Sequence, residues 1–191
     1  EGDVLGEEQW HWLEDELKDS KAVAHILVSS IQVLTSNNLV ESWKHFPRSK
    51  QKLLELLLRY RPSNLAILSG DVHYAEISGR PPVEITSSGM THTCATVWWG
   101  TACGPIVGAY QEHRERSDDW YTGYNFGTID IEWGEGENMS KPVLYASIRD
   151  VNGTAVKSIK IEEDASKALN NALEAMMQDR ERGERRRGVA M

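Results

Sequence analysis

The stretch NLAILSGDVHYAEI, residues 64 to 77, decides how the rest of the chain is read. Its opening, NLAIL, is a short apolar run of the kind that fits a strand covered on both faces. The run breaks at Ser69-Gly70-Asp71 and resumes as Val72-His73-Tyr74-Ala75-Glu76-Ile77. Positions two apart in extended chain project to one side, so Asp71 and His73 are expected to face one ligand just past the strand. A carboxylate and an imidazole suit a borderline or hard metal ion, and such an ion makes water nucleophilic near neutral pH. The competing reading makes Asp71 a turn residue bonded to nearby amides and His73 a hydrogen-bonded interior side chain.

Working upstream, SKQKLLELLLRY (49 to 60) is a helix with a leucine stripe that Pro62 stops. AHILVSSIQVL (24 to 34) reads as another strand buried on both faces, with Ser29, Ser30 and Gln32 marking its end. Residues 7 to 19 place Trp10, Leu13 and Leu17 at helical spacing, with Gly6 at the N-cap and Gln9 placed to reach back to it. Helix, strand, helix, strand in that order predicts an α/β fold with parallel pairing and chemistry at the carboxyl ends of the strands.

Downstream of Gly79 the pattern changes. VEITSSG, NFGTIDIEW, PVLYASIRD and AVKSIKIEE alternate like antiparallel strands between Gly, Pro and Asn-Gly turns. Between the first two, residues 90 to 124 read as a long loop rich in Gly, Trp and His, and residues 163 to 182 as a polar terminal helix. The organisation expected is one domain over residues 1 to 162 and a helical, basic-ended tail over 163 to 191.

A chain of 191 residues with 40% hydrophobic and 26% charged content can bury a core without staples, which disfavours disorder and repeat classes. Its net charge of −8 argues against a nucleic-acid partner. Only RERGERRR, residues 180 to 187, is basic; it is given no role, and a membrane partner is left open. No run reaches the roughly 18 apolar residues of a membrane span, and the opening EGDVLGEEQ is not a signal peptide but looks like the start of a fragment. Cys94 and Cys103 are either a local disulfide or two buried thiols; the sequons Asn138-Met-Ser and Asn152-Gly-Thr tilt the reading toward a secreted or endomembrane-lumen glycoprotein.

LGEEQWHWLEDEL (5 to 17), LVSSIQVL (27 to 34), ESWKHFPRSKQKLL (41 to 54), LSGDVHYAEI (68 to 77), EITSSGMTH (84 to 92), NFGTIDIEW (125 to 133) and SIRDVNG (147 to 153) together resemble the PhoD-like branch of the calcineurin-type metallophosphatases. The resemblance implies a four-layer α-β-β-α sandwich, present here in part, that hydrolyses phosphomonoesters or phosphodiesters with a cluster of metal ions. Relatives use iron with calcium; zinc or manganese are alternatives. Gly70-Asp71-Val72-His73 stands where related enzymes carry a terminal G-H-x-H ligand motif, which assigns metal binding to Asp71 and His73 and a catalytic part to His73. The family's other ligand segments, G-D-x-x-Y and N-H-D, are absent from the chain. A binuclear centre with metals roughly 3.5 to 4 Å apart needs ligands from several strands. The missing N-terminal half of the same domain is therefore an expected partner, beside a phosphoester substrate.

Ser30 and Gln32 follow the first strand where a polar side chain can orient substrate, and the alternative is that they satisfy strand-end backbone. Ser87, Ser88 and His92 flank Gly89, where amides can approach a phosphate and an imidazole can tune a metal ligand. His11, His25, His45 and His113 read as structural, and Trp98 and Trp99 as a groove lining or a core edge. The rival from another class is a non-catalytic module that keeps the fold for binding or assembly; a lectin-like β-domain rests only on the strand-rich second half.

Overall fold

The computed structural model describes residues 2–35, 37–79, 82–96, 100–109, 114, 116–134 and 142–161. Trp98, Trp99, His113, the Asn138 sequon and the tail from 163 lie outside them. Among the described residues three α-helices, α1 (Glu7–Lys18), α2 (Pro47–Tyr60) and α3 (Gly100–Ala109), accompany eight strands. These are β1 (His25–Val28), β2 (Leu65–Ser69), β3 (Ala75–Ser78), β4 (Val83–Ser87), β5 (Trp120–Tyr121), β6 (Phe126–Glu132), β7 (Val143–Arg149) and β8 (Ala155–Ile161).

The first five strands form one sheet in the order β1-β2-β4-β3-β5. β1, β2 and β4 run parallel, and β3 is antiparallel to both β4 and β5. The second sheet, β6-β7-β8, is antiparallel throughout. Period-two alternation explains how the layers stack. On β2, Leu65 and Ile67 join α1 and α2 in one core with Trp10, Leu13, Leu53 and Leu57. Ala66, between them, turns to the other side, where Ile77, Val83 and Ile85 meet Leu144, Ala146, Ile148 and Ile161 of the second sheet. The described residues thus form an α/β arrangement of three layers: helices, mixed sheet, antiparallel sheet.

Both long helices start and stop for local reasons. Gly6 caps α1 at φ 76°, but no side chain completes the cap, so the expected reach-back from Gln9 is not made. Instead the Trp10 indole N–H donates to Asp3, whose carboxylate also accepts from Ser49 at the start of α2. These bonds hold the Asp3 carboxyl below the usual range, with the Trp10 bond the largest cause. α2 has Pro47 in its first turn and ends at Arg61 in the left-handed region, just ahead of Pro62.

Two expectations are corrected. The strand read over 24 to 34 spans only His25–Val28 and is not buried on both faces. It pairs only with β2 among the described strands, and Ile26 and Val28 are 45% and 74% exposed, because the second sheet does not cover them. The apolar residues beyond it, Val33 buried and Leu34 partly so, lie outside the strand: both donate their backbone N–H groups to the Glu84 carboxylate, at 2.8 and 2.6 Å, and pack under the helices. The loop expected over 90 to 124 contains α3. Its Gly104 and Gly108, one turn apart, form a flat face on which the Trp120 ring lies, so glycines that read as loop residues act as a packing surface.

Candidate functional site

β1, β2 and β4 are parallel, so their carboxyl ends open on one edge of the sheet. Ser30 follows β1, Gly70-Asp71-Val72-His73 follows β2, and Ser88 follows β4. A Cβ at Gly70 would lie 3.8 Å from the Ser30 carbonyl oxygen and 3.9 Å from Ser88 Oγ, so these three segments meet there.

The chain after β2 is not the extended run expected. Asp71 and His73 both stand in the left-handed region, at φ 73° and 59°. Each such non-glycine residue costs roughly 1 to 3 kcal/mol and persists only where its surroundings impose it. Here the intervening side chains do so. Val72 packs against the small core of Tyr74, Cys94, Cys103 and Val107, in which Tyr74 is buried, while Asp71 and His73 stay exposed. Cys94 and Cys103 are joined in a disulfide, so the two-thiol alternative is set aside. The Cys94 N–H donates to the His73 carbonyl at 2.8 Å, which ties the strained turn to α3 through that bridge.

His92 comes to the same place. Its Nε2 stands 3.0 Å from His73 Nε2, with ring centroids 4.1 Å apart and planes inclined at 65°. Its Nδ1 is 3.1 Å from the Thr91 hydroxyl. The loop that carries it is pinned at Gly89, whose carbonyl accepts from the Asn125 N–H at 3.0 Å. A side chain at Gly89 would collide with the Asn125 amide, and Ser87 Oγ donates to Asn125 Oδ1. Asn125, at the start of β6, therefore fixes the loop from the second sheet.

Gln32 sits beneath this edge rather than on it. It is fully buried, and its amide nitrogen donates to Glu76 and to Thr86 Oγ1. Arg114 closes the network: Nε and Nη2 both donate to Glu76 Oε2, and Nη2 also donates to the Val107 carbonyl. Ser69 and Thr86 hydroxyls share a further bond at 2.9 Å. Burial and the Glu76 charge push the Tyr74 hydroxyl well up, and burial pushes the Glu84 carboxyl up. Glu76, Glu84, Arg114 and Asn125 were not read from the sequence. An acid within each of two otherwise apolar strand segments was the available signal for the first two.

Of the remaining histidines, His25 bonds the Ser63 carbonyl and Ser20 hydroxyl, and His11 and His45 are exposed. The donor types at the edge, one carboxylate and two imidazoles, suit a borderline cation. Among the described residues no three His, Cys, Asp or Glu side chains converge on one point, so a metal there needs donors from elsewhere.

A family model for PhoD-like phosphatases matches residues 1–137. No curated protein matches the chain. Among solved structures, one described as the structure of PhoD is similar at 16% identity with a TM-score of 0.46, over 93% of this chain and 42% of that one. The chain thus spans less than half of that relative's length. Since the family model covers well over half of its residues, the chain belongs to the PhoD-like phosphatase family.

Proposed function

We propose that this chain is the carboxyl-terminal part of a metal-dependent phosphoester hydrolase, a phosphatase or phosphodiesterase, whose other metal ligands come from the N-terminal half of the same domain. The observation that carries this reading is the strained turn after β2, which exposes Asp71 and His73 at the carboxyl ends of parallel strands. Asp71 and His73 are the metal ligands, for iron with calcium or for zinc or manganese. Such an ion supplies Lewis acidity to the phosphoryl group.

The chain's own residues do the rest. The strained backbone holds His73 at the reacting edge, and Ser88 with the amides beside Gly89 offers donors to phosphate oxygens. Ser30 lines the adjoining strand end. Gln32 acts from below, as a buried brace on Glu76. The uncovered side chains of Ile26 and Val28 on the outer strand support a missing partner layer of the same domain. The disulfide and the exposed Asn152-Gly-Thr sequon in the β7–β8 turn support a secreted or lumenal glycoprotein.

The test is hydrolysis of aryl phosphate mono- and diesters by the full-length polypeptide. His73→Ala is expected to lower kcat/KM by at least about 100-fold and weaken metal binding, since even outer partners of a ligand are worth 10- to 100-fold. Unchanged metal affinity and activity would sink the assignment. The second reading, a non-catalytic module derived from a phosphatase, is favoured by the absence of a three-donor cluster among the described residues. It is distinguished by no hydrolysis in the full-length polypeptide and by stability that chelators leave unchanged.

A further inference from the structure

His92 lies in a six-residue span, 89 to 94, whose two ends are both fixed. Gly89 is bonded to Asn125 of the second sheet, and Cys94 is bonded to the His73 carbonyl and bridged to α3. The span has little freedom to carry its imidazole elsewhere, and it delivers Nε2 to within 3.0 Å of His73 Nε2. The rings are inclined at 65° rather than stacked, so it is the nitrogens that meet.

We propose that His92 is itself a metal ligand, and that His73 and His92 form a two-imidazole grip for a borderline transition-metal cation of the zinc or ferrous class. This rests on the reading of His73 as a ligand and adds to it a donor from the β4 loop that the G-D-x-H pattern does not contain. In the tautomer with the proton on Nδ1, the N–H of His92 donates to the Thr91 hydroxyl 3.1 Å away and the Nε2 lone pair faces His73. A ligating histidine is ordinarily held in this way, with one nitrogen bonded to an oxygen acceptor and the other on the ion.

The spacing agrees. Two nitrogens each about 2.0 to 2.1 Å from one tetrahedral ion stand about 3.3 Å apart, so the pair opens by a few tenths of an ångström while the exposed rings turn to bring both lone pairs onto the ion. Both side chains are exposed, so the ion displaces solvent and the proton shared between the two Nε2 atoms, the His73 ring taking its other tautomer with the proton on Nδ1. Two imidazoles also favour zinc or iron over calcium, which prefers oxygen donors. In the metal-free chain the same pair is joined by a single N–H···N hydrogen bond.

The experiment is titration of the full-length polypeptide with zinc and, separately, with calcium. It is followed by calorimetry and by NMR of the imidazole carbon-bound protons. One zinc ion is expected to bind saturably, to shift the resonances of both His73 and His92, and to be preferred over calcium. His92→Ala and His92→Gln are each expected to weaken zinc binding at least tenfold, with the metal-free unfolding midpoint unchanged because the side chain is exposed. Thr91→Val is expected to weaken it severalfold.

Zinc bound with undiminished affinity by His92→Ala, with only His73 perturbed, would overturn the proposal and leave His73 as a ligand. Loss on His92→Ala but none on His73→Ala would also overturn the paired grip, and it would count against the parent reading. No saturable zinc binding below about millimolar concentration would refute the grip as well.

Discussion

The two sheets are built on opposite principles. The β6-β7-β8 sheet turns Leu144, Ala146, Ile148 and Ile161 inward and is an apolar lid on its neighbour. The five-stranded sheet buries, beside its apolar residues, two glutamates, a glutamine and the partner arginine Arg114. Burying charge is costly unless each group is paired and bonded, and replacing such a pair by apolar residues is often neutral or stabilising. A sheet that served folding alone would resemble the first. The second carries buried polar groups, and three of them, Gln32, Glu76 and Arg114, lie below the edge where Asp71, His73 and His92 stand; under the proposed reading they brace a site.

The largest expected effect breaks that brace. Arg114→Ala strands the Glu76 carboxylate in the interior and is expected to cost about 3 to 5 kcal/mol in urea unfolding. Glu76→Leu combined with Arg114→Leu should cost much less than the two single changes together, because neither charge is then left alone. A loss below about 1 kcal/mol for Arg114→Ala would mean that the pair is peripheral.

Next in size is a cavity in the apolar sheet. Leu144 is fully buried, and Leu144→Ala is expected to cost about 2 to 4 kcal/mol while leaving zinc affinity of the chain unaltered. The contrast is sharpest when both variants are titrated with zinc, since Arg114→Ala should weaken binding and Leu144→Ala should not.

The third effect is one of pH, spread over two units or more and so small at each step. Burial lowers the Lys50 ammonium from 10.5 to about 8, partly offset by the Glu84 charge. Between those values the folded chain binds fewer protons than the unfolded one. Stability therefore rises with pH across that window, and it is lost as pH falls through about 8. One proton gives a slope of at most about 1.4 kcal/mol per pH unit. Lys50→Met should abolish the slope in unfolding measured from pH 7.5 to 10, and a slope that survives would place its origin elsewhere.

How much of this was legible depends on whether the signal was local. β6, β7 and β8 follow from alternation, and α1 and α2 from helical spacing, because each buries one face against one neighbour. The strand over 24 to 34 was read too long because its apolar residues are satisfied in a loop, by a carboxylate on β4 some fifty positions away. α3 was missed because its glycines serve Trp120, again a distant partner. At the site, Asp71, His73 and His92 stood out as polar residues just past strands. Their backbone conformation and the meeting of the two rings did not, since both depend on Val72, Cys94 and Asn125 acting together. Gln32 was legible as a strand-end amide, but only Glu76 and Thr86 explain its burial.

The fit of Gly89 against Asn125 couples two positions that flank strands of different sheets. Any sequence drift that gives residue 89 a side chain needs a smaller residue at 125 in the same lineage, or the amide has nowhere to go. The loop bearing His92 would then lose its clasp from β6. Among relatives that use this loop, the two positions are accordingly expected to vary as a pair.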